Sequence, residues 1–294
     1  MQCPLCSHLQ EANPICSNCG RGVKDQPNQR SVPSEKSKLH SETAWPDDLP
    51  LPDDVAHQAL PPYKLVLINA HTFLMGSPEN EAGRDEDEQQ HEVDISKDFW
   101  IGRTEVSQSL YSAVMNDNPS SFQSPTNPVE SLTWLDAVLF CNAYSTQVGL
   151  EPVYNITLGA PVTVRWNKLA IGYRLPTEAE WEATMKQITQ TPAAFIGWYA
   201  ETSQFATHAV GQQIGISDMV GNVWEMCWDY YGPYPADRVV DPTGPTQGEF
   251  RVARGGSWID ARRILRPANR GFIRLSSRGN SVGFRLALTA SGSG

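Results

Sequence analysis

Four cysteines near the N-terminus have the spacing of a metal site. Cys3 and Cys6 form one C-x-x-C pair, and Cys16 and Cys19 form another. Each pair makes a tight turn that presents two thiolates, so two pairs complete the tetrahedron that zinc prefers. A segment this short buries too little apolar surface to fold alone, and a bound metal would supply its folding energy. The spacing predicts a structural zinc ribbon over residues 1–21; a pair of disulfides is the alternative, disfavoured in a cytoplasmic chain.

The stretch 259–281 has the composition of an irregular binding surface. It lies between two predicted strand segments, 251–258 and 282–288, and shows neither a helical nor a strand period. Irregular segments held by a rigid frame often carry binding residues. This stretch contains Phe, Ile and Arg, which are typical of protein-recognition patches when they are exposed. We therefore expect a protein or another macromolecular ligand to bind here.

The bulk composition indicates a globular domain with a small appendage. The chain has 294 residues, and its net charge of −10 argues against a general nucleic-acid or membrane-surface binder. No apolar run approaches the roughly 20 residues that span a bilayer, and no secretory signal is recognisable, which predicts a cytoplasmic location. Frequent Pro, Ser, Asp and Gln predict a flexible linker over 22–62. The main domain is then expected at 63–289, with a tail at 290–294.

Three helices are predicted in the main domain. They begin after the N-cap residues Ser107, Thr133 and Thr177, and the last two have an acidic capping-box partner, Asp136 and Glu180 respectively. Apolar residues follow at helical spacing in the first two: Leu110, Tyr111, Val114 and Met115 in one, and Trp134, Ala137, Val138 and Cys141 in the other.

Strands are predicted in the remaining ordered segments. They are expected in 64–77, in 93–105 and at the two ends of the binding stretch, where apolar residues of 282–288 recur at period two. The acidic run 85–88 is interpreted as a solvated loop. Long loops rich in Gly and Pro connect these elements, so the domain is expected to be a loop-rich α/β (α+β) structure.

Seven motifs in one order resemble the formylglycine-generating enzyme, or sulfatase-modifying factor, family. They are FLMGS (73–77), TEVS (104–107), PVE (128–130), YRLPTEAEWE (173–182), GNVWE (221–225), RGGSW (254–258) and GFR (283–285). The resemblance covers about residues 63–289. It implies the C-type-lectin-like fold of that family, in which the N- and C-terminal strands pair.

The resemblance also locates the positions of the family's catalytic cysteines. Active members oxidise a cysteine of sulfatases to formylglycine with oxygen, copper and two cysteines of their own, and the matching positions here are Asp260 and Leu265. A carboxylate and an alkyl group cannot replace thiolates as ligands of soft Cu(I) or as redox partners. The cysteines outside the ribbon, Cys141 and Cys227, are expected to be buried small hydrophobes. Formylglycine generation is therefore not expected, although enzymatic activity stays an open question.

Two further implications of the resemblance concern metals. The family binds calcium through a side-chain oxygen, two backbone carbonyls and a Glu, which correspond here to Asp218, Gly221, Val223 and Glu225; hydrogen bonds to loop amides are the alternative role. A second enzyme branch makes sulfoxides on the ergothioneine pathway with non-haem iron held by clustered His residues. The six His residues of this chain are scattered along the sequence, which argues against that chemistry.

The stretch 259–281 also resembles the diversified segment of retroelement variable proteins, which often use this fold. From Ile259 onward the chain contains no Lys, Glu, Gln, Met or Trp, and no codon of these five types ends in a pyrimidine. Mutation at the adenines of AAC-type codons leaves the final pyrimidine in place, so it cannot produce any of these five residue types. Under this hypothesis the ligand contacts are Ile259, Asp260, Arg262, Arg263, Ile264, Phe272, Ile273, Arg274, Leu275, Ser276, Gly279 and Ser281. Alternatively, half of these residues pack inward, and Arg266, Arg270 and Arg285 are expected to hold loops together.

Three hypotheses follow for the function. The first is a non-catalytic binding module of the retroelement variable type, linked to a zinc ribbon that docks elsewhere. The second is an oxidoreductase of the formylglycine-generating or sulfoxide-synthase type that uses an unrecognised site. The third is a regulatory scaffold in which the zinc ribbon, whose partner is unknown, is the functional element.

Overall fold

The computed structural model describes residues 63–159, 161–188, 197–213 and 215–290. The predicted zinc ribbon and linker lie outside these residues. Within the described ranges the chain forms three helices, α1 (Gln108–Met115), α2 (Trp134–Gln147) and α3 (Glu178–Ile188). The same ranges contain twelve strands: β1 (Leu65–Ile68), β2 (His71–Met75), β3 (His91–Ile95), β4 (Phe99–Gly102), β5 (Tyr154–Thr157), β6 (Thr163–Trp166), β7 (Trp224–Tyr230), β8 (Val239–Val240), β9 (Phe250–Arg254), β10 (Gly271–Arg274), β11 (Val282–Gly283) and β12 (Ala287–Thr289).

The strands form four small sheets rather than one large one. Their orders are β1-β4-β12, β10-β9-β7-β11, β2-β3-β8 and β5-β6. The N-terminal strands β1 and β4 share one sheet with the C-terminal strand β12, and β1 and β12 each pair antiparallel with β4. This pairing of N- and C-terminal strands agrees with the implication of the family resemblance. Phe99 and Ile101 of the central strand β4 are buried. The α+β, loop-rich character predicted from the sequence is confirmed.

Local hydrogen bonds explain where the three helices begin. The Ser107 hydroxyl accepts the amide of Leu110 at the start of α1. A full capping box between Thr133 and Asp136 begins α2, and Thr177 and Glu180 exchange side-chain to backbone bonds of 2.8 and 3.1 Å at the start of α3. All three predicted N-caps are confirmed.

The segment 282–288 is not the continuous alternating strand that its pattern predicts. It pairs with β7 over Val282–Gly283, leaves that sheet, and pairs with β4 from Ala287 onward. All seven residues are buried, so the period-two pattern does not mark one solvent-facing side. The physical reason is Arg285: its buried guanidinium forms two 2.5 Å bonds with Glu225 and therefore lies inside the fold.

The acidic run is only partly the solvated loop that was predicted. Glu88 is completely buried, and its carboxylate accepts a 2.7 Å bond from Ser77 and two bonds from Arg266. Burial would raise the pKa of Glu88, but the hydrogen bonds from Arg266 and Ser77 outweigh it and lower the pKa. Through Glu88, the loop therefore binds Arg266 and fixes the chain just after residue 265, so it is not fully solvated.

Buried ion pairs join the C-terminal segment to α3. Arg254 bonds Glu182 at 2.5 Å and Arg270 bonds Glu178 at 2.7 and 2.9 Å. The Arg254 guanidinium also donates to the carbonyls of Pro267 and Ala268. Arg266 and Arg270 both bind neighbouring loops. The prediction that arginines hold the loops of this region together is therefore confirmed.

Because the carboxyl group of Asp229 is buried, we expect the stability of the protein to depend on pH. Asp229 is buried in β7 and accepts the amide of Glu178 at 2.9 Å. Burial, with a smaller contribution from Glu178, raises the pKa of Asp229 from 3.8 to about 8. The native state thus holds this proton more tightly than the unfolded chain, so stability is lost as the pH rises from about 4 to about 8.

Replacing Asp229 with Asn removes this loss while its amide oxygen still accepts the helix amide. Between about pH 5 and about pH 9 the unfolding free energy of D229N is expected to rise relative to wild type by more than about 1.4 kcal/mol, the equivalent of one pKa unit. Urea unfolding at both pH values measures this difference. A difference that is the same at the two pH values would contradict the assignment.

Candidate ligand-binding surface

The turn after β9 positions the start of the predicted surface. Gly255 and Gly256 have φ of +94° and +75°, in the left-handed region that favours glycine. A Cβ on Gly256 would lie 2.4 Å from Leu265, so the close packing here also requires glycine. The buried Trp258 then binds two other loops: its amide donates to Asn222 and its indole N–H to Asn280, both at 2.9 Å. This turn is therefore a rigid support.

Asp260, at the first catalytic-cysteine position, is engaged in internal hydrogen bonds. Its Oδ2 accepts the indole N–H of Trp224 at 2.8 Å and the hydroxyl of Ser257 at 2.5 Å. Burial raises the pKa of this carboxyl, while the bonds from Ser257 and Trp224 partly offset the effect. The side chain is half-buried. It ties the turn to β7, and the family resemblance matches this carboxylate to a thiolate of the family's enzymes.

Leu265, at the second catalytic-cysteine position, is part of the hydrophobic core. It is 2 % exposed and belongs to the same buried cluster as Trp181 and Val252. The two cysteines among the described residues, Cys141 and Cys227, are free and fully buried. Burial raises the pKa of both thiols, so they are the small buried hydrophobes that were predicted.

The twelve predicted contact residues divide by exposure. Five are exposed: Ile259, Arg262, Arg263, Arg274 and Ser276. Five are half-buried: Asp260, Ile264, Phe272, Leu275 and Gly279. The remaining two, Ile273 and Ser281, are buried and belong to the frame, which corrects their assignment. Side chains alternate along β10, so Ile273 points to the opposite face from its neighbours Phe272 and Arg274.

The accessible residues form two groups. Ile259 lies just before the short 3₁₀ turn Arg262–Ile264, where Arg262 and Arg263 form no ion pair with any described residue. On β10, Phe272 packs against Tyr231 and Phe250, and the Arg274 guanidinium lies 4.9 Å from the Phe250 ring centre. In the turn group, Ile259 and Arg262 are exposed, and the Arg263 side chain acts within the described part of the fold only through the weak effect of its charge on the pKa of Asp85. We call Ile259, Arg262, Arg263 and Ile264 the turn surface.

Sequence reasoning missed the loop that borders this surface. Residues 197–213 bind the turn after β9, because the amide of Ala200 donates to the Asp260 carbonyl at 3.0 Å and Ser203 donates to the Trp258 carbonyl at 2.7 Å. The loop exposes Phe205, which is 68 % accessible. Its sequence has no secondary-structure period; the available signal was that Phe205 stands among small polar residues, apart from Trp198 and Tyr199 of the same loop.

The predicted calcium ligands are only partly available. Glu225 bonds Arg285 with both carboxylate oxygens and also accepts the indole N–H of Trp181 at 2.7 Å. Asp218 accepts the amide of Gly211, but its buried Oδ1 has no hydrogen-bond partner. No group of three or more His, Cys, Asp or Glu in the described part of the chain is arranged to hold a metal. The arrangement fits an internal ion pair better than the four-ligand calcium site, and calcium at Asp218, Gly221, Val223 and Glu225 stays a prediction.

A cleft elsewhere in the fold contains none of the twelve predicted contacts. It has a volume of about 140 Å³ and is lined in part by Lys97, Trp166, Lys168 and Arg174. The Arg174 guanidinium already forms two 2.6 Å bonds with Glu180, so this cation is not free for a ligand. None of the helices in the described ranges has both the length and the apolar character needed to cross a bilayer.

Comparisons with known proteins agree with the motif-based resemblance. The chain is 34 % identical over 206 residues to the chaperone protein LppX of Paenibacillus barcinonensis, covering 56 % of this chain and 70 % of the relative. It is 35 % identical over 154 residues to the serine/threonine-protein kinase pkn1 of Chlamydia pneumoniae, covering 47 % of this chain and only 24 % of the kinase. The kinase therefore contains much that this chain does not match.

Among solved structures, the Treponema denticola variable protein 1 is similar to this chain with a TM-score of 0.71. The two are 31 % identical, and the match covers 78 % of this chain and 95 % of that protein. This likeness supports the predicted C-type-lectin-like fold of the family. Residues 52–290 match the family model described as the sulfatase-modifying factor enzyme 1-like domain. Because this match spans most of the chain, the protein belongs to the sulfatase-modifying factor, or formylglycine-generating enzyme, family.

Proposed function

We propose that the domain is a binding module that recognises a protein ligand through the turn surface and does not oxidise cysteine. The carrying observation is the contrast between neighbouring residues. Leu265 and Asp260 occupy the catalytic-cysteine positions as a core side chain and an internally bonded carboxylate. Ile259, Arg262 and Arg263, beside them, point outward. The scaffold thus presents side chains for contact where the enzymes of the family present thiols.

The similar proteins support a binding role of the variable type. The structure similar at 31 % identity is named a variable protein, and a relative that matches over most of its length is named a chaperone. The absence of Lys, Glu, Gln, Met and Trp from Ile259 onward agrees with diversification of this segment. If the gene is diversified, its 3′ end has a near-repeat in adjacent DNA that differs at adenines, beside a reverse-transcriptase gene. Absence of such a repeat would remove the retroelement part of the proposal.

A displayed random peptide library tests the turn surface. We expect panning on the purified chain to enrich peptides that combine apolar with acidic residues, because Ile259 lies beside unpaired guanidinium groups. The variant I259D is expected to weaken the binding of these peptides at least about tenfold, since it places an acid in an apolar contact. Fluorescence anisotropy with a labelled peptide measures Kd, and the melting temperature should stay unchanged.

The matched control is L169D, which makes the same chemical change at a leucine that is 93 % exposed on the β5–β6 side. It is expected to leave Kd unchanged. Selected peptides that bind I259D as well as wild type would show that the turn surface is not the binding site. The zinc ribbon, its partner and a cytoplasmic location are separate parts of the proposal that this experiment leaves untouched.

A further inference from the structure

Phe205 is an exposed aromatic residue in a backbone conformation that aromatic residues avoid. Its φ is +60°, and that of the preceding Gln204 is +55°. The left-handed region is uncommon for residues other than glycine, and a bulky side chain there marks a turn under constraint. The side chain is 68 % exposed and makes no ring contact with any described aromatic residue. Neither conformational preference nor core packing explains a phenylalanine at this position.

The loop holds this side chain in place through a buried hydroxyl. Ser203 is fully buried, and its Oγ accepts the amide of Phe205 at 3.1 Å while donating to the carbonyl of Trp258 at 2.7 Å. The Ser203 carbonyl accepts the amide of Ala206 and is 2.6 Å from Nε2 of His208. The exposed ring therefore projects from a tightly bonded backbone. An ordered exposed aromatic loses little conformational entropy when it enters a partner's pocket.

The same hydroxyl places Phe205 next to the turn surface. The Ser203 hydroxyl oxygen bonds both the Phe205 amide, at 3.1 Å, and the Trp258 carbonyl, at 2.7 Å. The Phe205 nitrogen and the Trp258 oxygen are therefore no farther apart than the sum of these two distances. Ile259, which is 49 % exposed, follows Trp258 directly, and the amide of Ala200 in the same loop fixes Asp260 on its other side. The backbone segments that carry these two exposed apolar residues, from different parts of the chain, are thus held close together.

We infer that Phe205 is a fixed apolar anchor of the ligand-binding surface, which the 197–213 loop adds to the turn surface. This inference rests on the proposed function. Phe205 lies outside 259–281, so it contributes the same contact whatever residues occupy that stretch. The partner is a protein with an apolar pocket rimmed by carboxylates: its pocket receives Phe205 and Ile259, and its acids face the exposed guanidinium groups of Arg262 and Arg263.

The experiment uses the full chain and the peptides enriched by panning on it. F205G removes the ring and places glycine where φ is positive, so the melting temperature is expected to stay the same or rise. F205N, which also tolerates this conformation, is the second variant. Both are expected to weaken the Kd of the enriched peptides at least about tenfold, as measured by fluorescence anisotropy. As the control, L169G removes an apolar side chain that is even more exposed than Phe205 and should leave Kd unchanged.

The outcomes separate the anchor from the proposed function. Peptide binding that is lost in I259D but unchanged in F205G and F205N would overturn the anchor and leave the turn surface standing. Binding that no variant alters, or a library that yields no specific peptide, would overturn both. A fall in melting temperature for both F205G and F205N would show that Phe205 has a structural role instead, and so would also overturn the inference.

Discussion

Replacing Arg285 with Met is expected to lower the free energy of unfolding by about 3–5 kcal/mol, the cost of leaving a buried charge without its partner. The Arg285 guanidinium is fully buried, bonds both oxygens of Glu225 and donates to the carbonyls of Gly102 and Ser217 at 2.8 and 2.9 Å. Burial lowers the pKa of Arg285, but Glu225 more than compensates and the net effect raises it. Urea unfolding measures the change.

Two further variants establish that the effect comes from the unpaired charge. The double variant R285M/E225M is expected to be more stable than R285M alone, because no carboxylate is then left without its cation. R238M removes an ion pair of Arg238 with Glu92 and Asp94, where the arginine side chain is 55 % exposed. It should cost no more than about 1 kcal/mol. Equal losses in R285M and R238M would mean that the buried pair does not stabilise the fold as described.

Replacing Leu265 with Ala is the second change with a large expected effect. Leu265 is 2 % exposed in the core and its Cδ2 fills the space beside Gly256. Truncation leaves a cavity under the RGGSW turn, and leucine-to-alanine changes in cores cost about 2–5 kcal/mol. Thermal and urea unfolding measure the loss.

The control for this variant is L139A on α2, where the leucine is 36 % exposed. Because alanine is a good helix former and little apolar surface is uncovered, L139A should change stability by no more than about 0.5 kcal/mol. If L265A were as stable as L139A, this position would not be a core position. Leu265 would then not be a structural side chain that stands in place of a catalytic thiol.

Local patterns in the sequence were sufficient to locate the helices and the arginine contacts. The N-caps at Ser107, Thr133 and Thr177 depend on side chains within three residues, so spacing alone identifies them. The roles of Arg266 and Arg270 follow from the cost of placing guanidinium groups among apolar residues without acidic partners. The N-caps involve short-range geometry, and the arginine contacts follow from the need of a buried charge for a partner. Both kinds of feature can be recognised in a single sequence.

Features that depend on distant partners could not be recognised in this way. The segment 282–288 has a strand period, but whether it stays in one sheet depends on Glu225, 60 residues before Arg285. Glu88 is in an acidic run that reads as solvated until its pairing with Arg266 is known. Phe205 joins the candidate site only because Ser203 bonds Trp258, a contact between residues 55 positions apart.

Ile273 shows a different limit of the sequence. Its type and position match the neighbouring candidates Phe272 and Arg274, and only the register of β10 on β9 decides which side chains point outward. That register pairs Ile273 with the buried Arg251 and leaves Arg274 exposed. Composition therefore led to the prediction that 259–281 is a binding stretch, and the strand register determines which of its residues on β10 are available to a ligand.

The proposal that this chain does not carry out the family's oxidation chemistry is tested most directly by incubating the purified chain with copper(I), oxygen and a sulfatase-type peptide that contains the substrate cysteine. A family member that retains both cysteines is run in parallel as the positive control. Mass spectrometry after aldehyde capture is expected to find the peptide unmodified with this chain, because Asp260 and Leu265 supply no thiolate for copper. Formation of the aldehyde by the purified chain would contradict the account.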